Sequence, residues 1–260
     1  MWYVLVASFS TGSYIARQGG FLLWPGDFTL DAYRLTFKYK QLFTGFRNTI
    51  LILVIALPIN LTLTALCGYF MSSNTKALFK KPILIIIMFT MFFSGGLIPQ
   101  FLNIKSLHLY DTIWALVLPG AMSVYNANIC KTAFEGVPYS LTEAAVIDGA
   151  SDLTILRTIL LPLIKPTLAV LALYYGVGHW NSWFNASIYI VNKDLIPAQL
   201  VLRNILSTQT SMSEGADTYN AYAEAMKYAA IVITTVPILC IYPFLQKYFT
   251  KGAMIGAVKA

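Results

Sequence analysis

Charge is scarce in this sequence. Asp, Glu, Lys and Arg together make up 11% of 260 residues, against about 25% in ordinary soluble chains. Hydrophobic residues make up 57% and mean hydropathy is +0.65, so too little polar surface exists to clothe a water-soluble globule. Cysteine is also sparse: Cys67, Cys130 and Cys240 lie far apart and without C-x-x-C spacing, which excludes a disulfide framework or a cysteine zinc site and leaves them as small apolar fillers. His108 and His179 are the only histidines and do not stand at ligand spacing, so neither a metal site nor a histidine relay is supported. No G-x-x-x-x-G-K-[ST] stretch is present to cradle ATP phosphates. The net charge of +7 does not point to nucleic acid, because Lys and Arg lie between apolar runs and form no basic stripe interleaved with aromatics.

What fills the chain instead is a series of uncharged runs, at residues 48–75, 82–104, 112–130, 166–192 and 228–246. Each is about long enough to cross a hydrocarbon core as a helix. Barrel strands would alternate in polarity over about ten residues, and these runs are continuously apolar. A further uncharged stretch opens the chain at Met1–Ala16, but its strongly apolar part, Trp2–Phe9, is too short for a span and lacks the basic flank and cleavage site of a signal peptide. It is expected to be the end of a truncated first helix. The fold class is therefore all-α: a polytopic, multi-pass helical bundle in a lipid bilayer, with six spans forming one transmembrane domain over 1–260. Pro58, Asn60, Thr62 and Thr64, then Ser94-Gly95-Gly96 and Pro99, then Asn181, Ser182 and Asn185 interrupt the apolar runs, and such residues face other helices or a wet cavity.

Basic residues divide equally between the two sides of this bundle, so their count does not orient it. The loop with Lys76, Lys80 and Lys81 and the tail at 247–260, with Lys247, Lys251 and Lys259, hold no acid. Both are placed in the cytoplasm.

Residues 138–162 are apolar enough to mimic a span, yet Glu143, Asp148, Asp152 and Arg157 would together cost about 10 kcal/mol at a bilayer centre. The segment belongs in water or at an interface. Ser140 and Glu143 match the S-x-x-E capping box, Gly149 offers a left-handed stop, and Ser151 or Asp152 can cap a second helix ending before Pro162. A cytoplasmic helix-turn-helix is predicted. Ala144, Ala145 and Ala150 keep it thin, and Ile147, Leu153, Ile155 and Leu156 are apolar groups that a free loop has no use for, which points to a knob entering a groove on another protein.

Glu143-Ala144-Ala145, Gly149, Ile159, Leu161 and Pro162 stand in the register E-A-A, three residues, G, nine residues, I, one residue, L-P. This resembles the signature of the membrane (permease) subunits of binding-protein-dependent ABC importers. Ile147-Asp148-Gly149-Ala150, the Gly178-His179-Trp180-Asn181-Ser182-Trp183 stretch and the tail from Lys247 look like the carbohydrate-uptake branch, similar to the maltose-type second permease and its oligosaccharide importers. The likeness runs from the end of the first span onward; family members complete that first helix, so further apolar residues are expected upstream of Trp2.

The resemblance implies a transmembrane subunit in the bacterial cytoplasmic (inner) membrane that moves oligosaccharides by alternating access and performs no covalent chemistry. Its implied partners are a second permease subunit, two ATPase subunits that bind ATP and Mg, and an external solute-binding protein, with no cofactor held by this chain. Coupling to the ATPase is implied for Glu143, Ala144, Ala145, Asp148, Gly149, Ile159, Leu161 and Pro162. Tyr174, Tyr175, His179, Trp180, Asn181, Trp183 and Asn185 are candidates for the substrate pathway, since aromatic faces pack on sugar C–H surfaces while Asn and His exchange hydrogen bonds with hydroxyls; the competing role for each is packing within the bundle. The stretch 192–226, with Asp194, Glu214, Asp217 and Glu224 and an amphipathic run behind Pro197, is the candidate external docking loop. Asn185-Ala-Ser187 is a formal glycosylation sequon inside a predicted span and is discounted. A secondary transporter or channel subunit is the alternative, but it leaves the 138–162 knob unexplained and would call for an inverted repeat or an intramembrane ion site.

Overall fold

The computed structural model describes residues 1–18, 22–73, 79–210 and 225–240. Among these every regular element is helical. The order is α1 (Trp2–Ser8), α2 (Gly12–Arg17), α3 (Asp31–Lys38), α4 (Lys40–Ser72), α5 (Lys80–Phe92), α6 (Leu97–Ser106), α7 (Trp114–Val117), α8 (Val124–Glu135), α9 (Tyr139–Ile147), α10 (Asp152–Thr154), a π-helical stretch (Ile155–Leu160), α11 (Leu161–Leu163), α12 (Lys165–Trp180), α13 (Phe184–Tyr189), a 3-10 turn (Lys193–Leu195), α14 (Ala198–Thr210) and α15 (Ala225–Cys240). Lys76, the acidic part of the candidate docking loop at 211–224 and the tail at 247–260 lie outside the described residues.

The uncharged runs are helical, but several are not straight. Among the described residues only α4, with Pro58 inside it, is by itself long and apolar enough to cross a membrane; two bent pairs bring the number to three if each counts as one span, and α15 is a shorter apolar helix. The run 82–104 breaks at Phe93–Gly96, where α5 and α6 meet at 117° and Gly96 takes φ +84°, a conformation open to glycine without a Cβ penalty. The run 112–130 is interrupted around Pro119-Gly120, and 166–192 opens at Asn181–Trp183 between α12 and α13. Hydropathy marks apolar stretches; glycine, proline and asparagine decide where their backbones bend.

Among the described residues the chain forms two compact units, one from 1–51 with 179–240 and one from 52–178, the boundaries falling inside α4 and α12. In the first unit, Leu42, Val201, Ile205 and Ala230 form one core, while Val6, Ala7, Ile15, Ala32 and Ala229 belong to another. Its loops are tied to α4: Asn48 Nδ2 donates to the carbonyls of Asp194 (2.7 Å) and Ile196 (3.1 Å), and the Ala198 N–H donates to Thr49 Oγ1 at 3.0 Å.

In the second unit α4 approaches α8 closely. A Cβ on Gly68 would stand 2.9 Å from Cys130 Cβ, so a small residue is required there, as in close helix crossings within membranes. Cys130 is fully buried at this contact, in keeping with its expected role as filler. Asn60, also buried, donates from Nδ2 to the carbonyls of Gly120 (2.8 Å) and Ala121 (3.0 Å). These are carbonyls that the break between α7 and α8 leaves without a helical partner.

Candidate functional site

Residues 138–163 fold as two helices joined at a glycine. The first begins at Tyr139 with Pro138 at its N-cap and no side-chain capping bond, so the expected Ser140/Glu143 capping box does not form: proline's fixed φ starts the helix two residues early and carries Ser140 inside the first turn. Glu143 is exposed. Gly149 takes φ +80° with no atom within 4 Å of a Cβ built on it, so its requirement is conformational rather than steric. The Ala150 N–H returns to the Ala145 carbonyl at 2.9 Å and closes the turn. Ser151 caps the second helix, accepting from the Thr154 N–H, as expected.

That second helix does not end before Pro162. It continues to Leu163 through the π-helical stretch Ile155–Leu160, whose wider ring lets the helix carry a proline without an amide donor. It then meets α12 at 83°.

The apolar residues of the segment divide into two sets. Ile147 is 85% exposed and Leu153 67%, whereas Ile155 is fully buried and Leu156 is 4% exposed. Ile155, Leu156, Leu160 and Ala145 share one core with Ala65, Phe134 and Leu171, and Ile159 and Leu161 pack against it. Asp152 and Tyr69, the latter near the end of α4, line one recess, and Tyr69 meets Phe134 edge-on with ring centroids 6.0 Å apart. The recess has a volume of 680 Å³ and is lined by residues including Tyr69, Ser73, Phe134, Glu135, Tyr139 and Asp152. Thus Ala145, Ile159 and Leu161 anchor the segment, while Glu143, Ala144, Asp148, Gly149 and Pro162 are exposed.

The substrate-pathway candidates scatter. Tyr175 is 7% exposed; its hydroxyl accepts the Ser123 N–H at 2.9 Å and shares a 2.6 Å hydrogen bond with Thr64. Trp180 is buried and donates from Nε1 to the Thr234 carbonyl at 3.2 Å. Tyr174, Asn181 and Asn185 are exposed and His179 is half-buried. Trp183 is half-buried beneath the Arg203 guanidinium, which lies 3.8 Å from its ring centroid. Sequence reasoning missed Arg203. Its signal was present, since it is the only charged residue in α14.

The spacing Glu143-Ala144-Ala145…Gly149…Ile159…Leu161-Pro162 thus sits on a folded pair of helices with one exposed face, rooted in the second unit. Residues 32–254 match the family described as binding-protein-dependent transport system inner membrane component. The chain belongs to that family. The permease is 38% identical over 261 residues to the polygalacturonan/rhamnogalacturonan transport system permease protein YtcP of Bacillus subtilis, covering 99% of this chain and 91% of that protein. It is 26% identical over 262 residues to the maltodextrin permease MdxG of the same organism, covering 99% and 90%. Among solved structures, the bacterial ABC transporter that imports the acidic polysaccharide alginate has a chain superimposing with a TM-score of 0.85 at 31% identity, over 95% of the permease and 89% of that chain. The permease is accordingly an inner-membrane transport subunit and not itself an enzyme; ATP hydrolysis belongs to partner subunits.

Proposed function

We propose that the permease carries oligosaccharides inward by alternating access, as one of two related membrane subunits, with six spans, two ATPase subunits on the cytoplasmic side and a solute-binding protein outside. Residues 138–162 serve as the cytoplasmic coupling element. One observation carries this reading: Ile147 and Leu153 are exposed beside exposed Glu143, Asp148 and Asp152. Acids this close exclude lipid, and large apolar side chains gain nothing from water; a groove on another protein satisfies both. The anchored face, through Ile155 and Leu156 packed with Ala65, gives a route from that groove to α4.

Carbohydrate permeases among the relatives support the oligosaccharide substrate. Tyr174, His179, Asn181, Trp183 and Asn185 remain pathway candidates, whereas the polar groups of Tyr175 and Trp180 are engaged within the protein. The loop 192–226 is assigned to binding-protein docking and the tail 247–260 to the cytoplasm.

The test is uptake in vesicles by the full complex, read beside ATPase activity stimulated by the loaded binding protein. Gly149→Leu is expected to lower uptake about 5- to 30-fold, since a side chain in the left-handed region costs roughly 1–2 kcal/mol. Glu143→Ala has a smaller effect, because its carboxylate supports no helix cap here and acts only across the subunit boundary. Wild-type transport by both variants with intact assembly would remove 138–162 from the coupling role.

A further inference from the structure

Arg203 stands out among the charged residues of the first unit. It is exposed on α14, a helix without Asp or Glu. Neither the Arg34–Asp31 nor the Lys131–Glu135 ion pair involves it, and no carboxylate of the described residues is seen paired with Arg203. Its guanidinium is nevertheless held in place, stacked 3.8 Å over Trp183.

The mounting beneath the pair is stiff. Leu200, Val201 and Ile205 bury the other face of α14, and Ala186 and Tyr189 bury α13. The α13–α14 connection is pinned to α4 through Asn48 and Thr49, and α14 packs so closely on α4 that a Cβ on Gly45 would lie 3.0 Å from Ala198 Cα.

Stacking consumes only the flat face of a guanidinium. Its N–H groups lie in the plane and stay available as a fork that matches a carboxylate. Beside it, exposed Phe184 meets Trp183 edge-on at 5.6 Å, giving apolar surface suited to sugar C–H faces, and exposed Asn181 and Asn185 flank Trp183 in the chain. A preset anion fork, an aromatic platform and amide hydrogen-bonders together fit a sugar that carries a carboxylate.

We infer that the Arg203–Trp183 pair is a recognition point for the carboxylates of uronic-acid-containing oligosaccharides and makes the permease selective for acidic over neutral chains. This deepens the proposed function and rests on it. Relatives named for polygalacturonan/rhamnogalacturonan and for the acidic polysaccharide alginate agree with such a substrate class.

The test uses the complete transporter in proteoliposomes with saturating loaded binding protein, short oligogalacturonates and neutral oligosaccharides as the probes, and uptake per ATP hydrolysed as the readout. Arg203→Lys, which keeps the charge but not the fork, should keep more oligogalacturonate uptake than Arg203→Gln, which should lose roughly tenfold, and Arg203→Glu should lose more, while stimulated ATPase activity stays unchanged. A purely structural stack on Trp183 would instead lower Lys and Gln variants together. Wild-type uptake by Arg203→Gln, or equal losses in the Lys and Gln variants, overturns the inference. Wild-type import of neutral oligosaccharides but not oligogalacturonates also overturns it and leaves the proposed function standing. Import of neither kind breaks the proposed function and the inference with it.

Discussion

Residues 139–163 and the Trp183–Arg203 corner expose opposite chemistry on similar foundations. Both stand on buried aliphatic side chains, Ile155, Leu156 and Leu160 in one and Leu200, Val201 and Ile205 in the other. The first presents Ile147 and Leu153 among acids; the second presents a cation on an indole. Exposed aliphatic groups beside charges call for a protein groove, because only close packing rewards them. An exposed, pre-oriented guanidinium calls for an anion, because packing would strand its donors. The difference lies in what the surface asks of its partner.

That contrast is most exposed to test at the presented face. Ile147→Asp combined with Leu153→Asp is expected to detach the ATPase subunits and abolish uptake, since burying two such side chains is worth about 3–6 kcal/mol. Co-purification of the complex measures it, and the permease itself should stay folded. The anchored face predicts a different failure. Ile155→Ala should cost about 2–5 kcal/mol of fold stability through the cavity it leaves, read as a lower Tm of the complex with ATPase binding kept at permissive temperature. Detachment without a Tm change would erase the division between the faces.

The smallest expected effect separates packing from pathway. Tyr175→Phe keeps the ring but leaves the Ser123 N–H and the Thr64 hydroxyl without this partner, a loss of about 1–2 kcal/mol within a bundle. Thermal unfolding of the complex should register it, while the ratio of acidic to neutral oligosaccharide uptake should stay as in the wild type. A shifted ratio would place Tyr175 beside the substrate.

Much of the segment 138–163 was legible because its constraints are local. Gly149 and Ser151 act through their own backbone and the next turn, so their roles follow from neighbours in sequence. The capping box was misplaced because Pro138 competes for the same helix start, and the stop before Pro162 was misplaced because a π-helical stretch carries the helix across it. Ile147 and Ile155 look alike in sequence; which one faces outward depends on Ala65, Phe134 and Leu171, residues far away in the chain.

The sequence by itself determined an all-helical membrane subunit with a charge-bearing segment between its apolar runs, since hydropathy and the cost of charge in hydrocarbon are properties of the residues alone. It also carried the family register from Glu143 to Pro162. Only the tertiary structure decided that Tyr175 is held by Thr64 and Ser123, that Asn60 closes the break at Gly120, and that Arg203 lies over Trp183. Each of these pairs residues that no helical periodicity brings together, and hydrogen bonds and stacking are short-ranged, so their partners are set by how the helices pack.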